Sequence, residues 1–116
     1  MAMLNPTVVV GGAKMALKLY KKYASVSGSK VKKGAFAGAS IEMFGKKACI
    51  QLDDKGSNIY MLTSDNVEDY EYVKEKKKLG GKGYHTYFYY DITFKDGTES
   101  YVCMRRKYRD AMKRYC

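Results

Sequence analysis

The segment Tyr84 to Phe94 limits what this chain can fold into more than any other stretch. Tyr84, Phe88, Tyr90, Ile92 and Phe94 fall on one face of an extended strand, and His85, Tyr87, Tyr89, Asp91 and Thr93 on the other, a period of two that a helix cannot use. Aromatic rings occur on both faces. Lys95-Asp96-Gly97-Thr98 then reads as a hairpin turn, with Gly97 taking the positive φ of a tight return, and Glu99 to Met104 runs back. A helix is expected from Arg105 to Tyr115, where Tyr108, Ala111, Met112 and Tyr115 recur at helical spacing and form an apolar stripe able to cover a sheet.

Upstream, the pattern predicts further short strands. Ser40 to Phe44 and Lys46 to Leu52 are apolar-polar runs, and the turn signal Asp53-Asp54-Lys55-Gly56 leads into Asn58 to Thr63 as a hairpin. Val67 to Lys74 alternates Tyr70 and Tyr72 with Asp69 and Glu71, a half-exposed strand, and the Lys- and Gly-rich Glu75 to Gly83 reads as a mobile loop. Residues Ser25 to Ala39 lack either periodicity and read as a linker with Phe36 as its one large anchor. Before it, Ala13 to Ala24 predicts an amphipathic helix with Lys14, Lys18, Lys21 and Lys22 on one side. Pairing of hairpins with a terminal helix predicts an α+β fold, with 1–39 as helix and linker and 40–116 as the antiparallel domain.

Ile59 to Tyr72 and Tyr90 to Met112, the latter running Ile92-Thr-Phe-Lys-Asp-Gly into a strand and helix, carry a resemblance over roughly residues 40–116. The arrangement resembles the pleckstrin-homology-like domains found in many small bacterial proteins. That resemblance implies a bent antiparallel sheet or partly open barrel, plugged at one end by the C-terminal helix, which relatives use to bind lipids, peptides or proteins. Lipid-binding members place basic residues in an early loop; here Lys46, Lys47 and Lys55 stand beside Asp53 and Asp54.

Composition fits one folded domain. The 116 residues are 46% hydrophobic and 29% charged, unlike the low-hydrophobicity, high-charge profile of disordered chains. The longest apolar stretch, Pro6 to Ala13, is interrupted by Thr7 and two glycines and falls far short of the roughly 20 residues a spanning helix needs. No Lys or Arg precedes Val8 to Val10, so export is not expected. Cys49, Cys103 and Cys116 are widely spaced and read as free thiols of a reducing, cytoplasmic compartment.

No catalytic, metal or cofactor site is expected. His85 is the only histidine and sits at an ordinary strand position, and Gly11-Gly12-Ala13-Lys14 lacks the longer glycine-to-lysine frame that cradles phosphate. Charge is the stronger signal. The net +10 divides into +6 over residues 1–45, −1 over 46–104 and +5 over 105–116, so two cationic ends flank a balanced middle. The candidate binding residues are Lys76, Lys77 and Lys78, with Lys74 and Lys82 nearby, the aromatic pair Tyr87 and Tyr89, and Arg105, Arg106, Arg109, Lys113 and Arg114. Guanidinium groups pair bidentately with carboxylates and phosphates, and tyrosine suits interfaces. These residues predict a non-enzymatic binding module for a protein partner with an acidic surface. Nucleic acid, an anionic membrane surface, and a phage or mobile-element inhibitor of a host nuclease remain the alternatives.

Overall fold

A computed structural model of the chain describes residues 7–8, 28–53, 56–80 and 83–116. Its elements in chain order are β1 (Thr7–Val8), β2 (Lys30–Gly34), β3 (Ser40–Phe44), β4 (Lys47–Gln51), β5 (Asn58–Met61), β6 (Val67–Gly80), β7 (Gly83–Phe94), β8 (Glu99–Arg105) and α1 (Arg106–Tyr115). They build one open sheet in the order β1-β5-β4-β3-β2-β8-β7-β6. Every ladder is antiparallel except the short parallel pairing of β1 with β5. The sheet is thus two meanders, β2 to β5 and β6 to β8, joined where β2 pairs with β8 through Val31↔Val102 and Gly34↔Ser100. The amphipathic helix expected over Ala13 to Ala24 lies outside the described residues.

The alternation read in Tyr84 to Phe94 organises the core. Phe88, Tyr90, Ile92 and Phe94 turn inward with Val102 and Met104 of β8, and α1 lays Tyr108, Ala111 and Met112 against them. Phe36, Tyr60 and Phe94 form an aromatic triangle with ring centroids 4.7, 5.8 and 5.3 Å apart, edge-on or tilted as ring quadrupoles prefer. The helix is fastened at its far end. Its Tyr115 carbonyl accepts from the Ser64 amide at 2.9 Å, and the Cys116 thiol donates to the Leu62 carbonyl at 3.4 Å.

The return from β7 to β8 is a three-residue loop. The Gly97 amide donates to the Phe94 carbonyl at 2.9 Å and the Phe94 amide to the Thr98 carbonyl at 2.8 Å. Lys95 and Asp96 therefore form the turn and Gly97, at φ 87°, the left-handed step that closes it. The Asp96 carboxylate accepts from the Thr98 amide at 2.9 Å and fixes the loop.

Three expectations change. The linker over Ser25 to Ala39 contains β2, and Val31, Ala35, Phe36 and Ala39 are core residues. A register shift between Val31 and Lys33 interrupts the alternation, which hides the strand from a period-two reading. The loop expected over Glu75 to Gly83 is instead the continuation of β6, paired residue by residue with β7 from Glu75↔Phe88 to Gly80↔Gly83. Its own sequence is a poor strand former; the backbone ladder to β7 supplies the structure. Finally, Tyr84 does not fill the core. It is 71% exposed, because β8 ends opposite Tyr87 and nothing described covers the inward face beyond Phe88.

Candidate binding surface

The sheet register sorts the expected binding residues. Paired residues on neighbouring antiparallel strands share a face, so Lys76↔Tyr87↔Arg105 form a row across three strands, and Lys78↔His85 lies beside it. Lys74↔Tyr89↔Cys103 is the row toward the domain. Lys77, paired with Thr86, points to the other face. Past the Arg105 row, β6 and β7 continue as a two-stranded arm, reaching about 10 Å beyond the sheet at the rise of an extended strand. Its exposed surface carries Lys77, Lys78, Leu79 and Tyr84.

Tyr87 and Tyr89 are buried, 9% and 4% exposed, in a cluster with Cys103. They are not an exposed aromatic patch; the exposed tyrosines of this hairpin are Tyr72 and Tyr84. The buried rings instead organise the cations. The Lys78 ammonium lies 5.0 Å from the Tyr87 ring centre and 5.8 Å from that of Tyr89, and Lys74 and Lys32 lie 5.1 and 5.9 Å from Tyr89, within the range where a ring face attracts a cation. A hydrogen bond to Tyr89 holds the Lys78 ammonium above the ordinary lysine range, so it stays charged at neutral pH.

Arg105 stands where β8 becomes α1. Its guanidinium donates to His85 Nδ1 at 2.8 Å, which gives that nitrogen the acceptor role. The Arg105 amide bonds the Ser29 hydroxyl at 3.0 Å, and its side chain does not cap the helix. Arg106 and Lys107 follow, with no acidic residue in the first turn. Positive charge therefore accumulates at the positive end of the helix dipole, the reverse of the stabilising arrangement. A hollow of about 230 Å³ lined by Tyr84, His85, Thr86, Arg105 and Arg106 lies between arm and helix.

The remaining candidates lie elsewhere. Arg109 stacks over the Phe88 ring at 4.1 Å and forms an ion pair with Asp110 at 2.6 Å, so it seals the core edge. Lys113 and Arg114 sit in the last turn of α1, where they oppose the negative helix end. Arg114 shares a separate groove of about 390 Å³ with Met43, Lys46, Lys107 and Asp110. The structure thus unites Lys76, Lys78, Arg105 and Arg106, and separates Arg109, Lys113 and Arg114 from them. His85, read as an ordinary strand residue, belongs to the united group. Its partner comes from the end of β8, and only the strand register reveals that.

Two of the thiols, Cys49 and Cys116, are ill suited to nucleophilic chemistry. Burial, with the Glu42 carboxylate as a smaller contributor, pushes Cys49 up to about 12. Cys116 is exposed as a residue, yet its thiol turns inward to Leu62 and burial pushes it up to about 11. Among the described residues no group of three His, Cys, Asp or Glu could hold a metal ion, and no described helix is long and apolar enough to cross a membrane. No family model, no curated protein and no solved structure matches the chain.

Proposed function

We propose that the chain is a non-enzymatic binding module that takes an acidic protein surface on the cationic corner made by Lys76, Lys78, Arg105 and Arg106. One observation carries this reading: the β6–β7–β8 register gathers these cations from distant parts of the sequence, with no carboxylate among them. Among the described residues the ion pair is Arg109 with Asp110, and neither the arm lysines nor Arg105 takes part in one. Three successive cations at a helix N-terminus weaken the helix, a cost that an anionic ligand would offset. Lys77 and the helix residues Lys113 and Arg114 extend the positive field and steer an acidic partner from a distance. Two meanders joined side by side, followed by a terminal helix packed on the sheet, support reading the fold as pleckstrin-homology-like, a scaffold suited to binding through its edges and corners.

The test is titration of the full chain with an acidic polypeptide such as polyglutamate, and separately with a short DNA duplex, over a salt series. The expected result is polyglutamate binding that weakens with salt, and its loss by about tenfold or more in the triple variant Lys78→Glu, Arg105→Glu, Arg106→Glu. Binding of DNA alone, or polyglutamate binding that ignores the triple variant, would overturn this reading.

A further inference from the structure

We propose that β6 is also a self-recognition edge, pairing antiparallel with β6 of a second copy about a twofold axis between Tyr72 and Val73. The edge shares Lys76 with the cationic corner, whose His85, Arg105 and Arg106 lie on β7, β8 and α1, away from the paired strand.

Four features of β6 point the same way. It is the terminal strand of the sheet and runs from Val67 to Gly80, far longer than the five or six residues typical of a strand. Every residue from Glu71 to Leu79 is exposed, and among the described residues no strand pairs with its outer edge, which makes that edge a template for another strand. The second feature is the order of charge. Glu68, Asp69 and Glu71 occupy the first half, and Lys74, Lys76, Lys77 and Lys78 the second, with Glu75 the only exception. The acids and lysines balance within the strand, although the whole chain carries +10. A block of one sign would repel a second copy and protect the edge, as edge lysines commonly do. Two blocks of opposite sign do the reverse, because an antiparallel copy sets each block against its complement.

The third feature fixes the register. With the axis between Tyr72 and Val73, Glu71 meets Lys74 of the second copy and Asp69 meets Lys76, and twofold symmetry repeats each pair. Exposed large apolar side chains, Tyr72 at 50% and Val73 at 42%, fall at the axis and cover each other there. The fourth feature makes the faces agree. Glu71 and Lys74 are an odd number of residues apart and would point to opposite sides of a regular strand. The register shift at Val73 restores them, since Glu71 pairs with Asp91 and Lys74 with Tyr89, both on one face of β7. Asp69 and Lys76, paired with Thr93 and Tyr87, lie on that face too. The bulge therefore gives the strand the spacing that a continuous two-copy sheet with facing ion pairs requires.

Sedimentation of the wild-type chain across a concentration series into the millimolar range tests this. A species of twice 13.2 kDa is expected, with slower hydrogen exchange from Glu68 to Lys77 at high protein concentration. Two block variants, Glu68→Lys with Asp69→Lys and Glu71→Lys, and Lys74→Glu with Lys76→Glu and Lys77→Glu, should each weaken self-association by about a hundredfold. Mixing the two should restore a one-to-one dimer, since an all-basic strand then meets an all-acidic one. A wild-type chain that stays at 13.2 kDa overturns the proposal, as does a mixture of two variants, each folded by circular dichroism, that remains monomeric. Should a variant fail to fold, the wild-type mass and exchange pattern decide alone.

Discussion

From Val67 to Tyr72, β6 is acidic and lies against the part of β7 whose Tyr90, Ile92 and Phe94 enter the core, with Tyr70 packed beside them. From Lys74 to Leu79, the same strand is basic and exposed, and among the described residues its part beyond the Arg105 row pairs with β7 alone. One ladder joins the two regions, yet what holds each in place differs. The base is fixed by side chains buried from both meanders and the helix; the arm is held by its backbone ladder to β7 and by lysine contacts to the Tyr87 and Tyr89 rings, with none of its own β6 side chains buried. Burial supplies cooperative stability, whereas an isolated two-stranded ribbon is marginal in water. The lesson is a division of labour along one hairpin, in which the base anchors and the arm presents charge.

Phe94→Ala should break the base. It empties one corner of the Phe36–Tyr60–Phe94 triangle and is expected to cost about 3–5 kcal/mol of unfolding free energy in urea titration; a loss as small as that of an arm substitution would refute the division. Gly34→Ala attacks the seam that holds the base to the other meander. Gly34 sits at φ 85°, and a Cβ there would run into the Glu99 carbonyl, so a loss of about 1–3 kcal/mol is expected.

Alkaline pH should loosen the core. Burial, with Asp96 as a lesser cause, pushes the Tyr60 hydroxyl from 10.0 up to about 12, and Cys49 rises from 9.0 to about 12. The folded state holds these protons more tightly than the unfolded one. Their contribution is complete below pH 9 and drains as pH climbs toward 12, so the melting temperature should be level near neutrality and fall above pH 9. Smallest of all, Leu79→Ser with Tyr84→Ser on the arm, both more than 70% exposed, should leave global stability within about 0.5 kcal/mol by the same urea titration.

Much of the base was legible in the sequence. Strict alternation in Tyr84 to Phe94 and helical spacing in Tyr108, Ala111 and Met112 located β7, the helix and the faces they bury, because both patterns arise directly from burial. The arm was not legible. Glu75 to Gly80 buries no side chain that would impose a period, so a strand held by its partner's backbone resembled a loop. The corner was half legible: the arginines at Arg105 and Arg106 were evident as charge, but their meeting with Lys76, Lys78 and His85 depends on register, which no local pattern encodes. Tyr87 and Tyr89 show the limit of alternation, which assigned them to the outward face but could not tell that this face is also buried.

Phe36 is the one described non-glycine residue with positive φ, at 62°, and it holds that costly conformation while fully buried against Tyr60 and Phe94. Contacts that compensate for it come from strands far along the chain, so they cannot form until long loops have closed. The bend has local bonds of its own, the Gly38 amide to the Val31 carbonyl and the Ala39 amide to the Phe36 carbonyl, and it gains its full compensation when Phe94 of the second meander packs on it. Folding should be governed by these distant encounters and proceed slowly for a chain of this size.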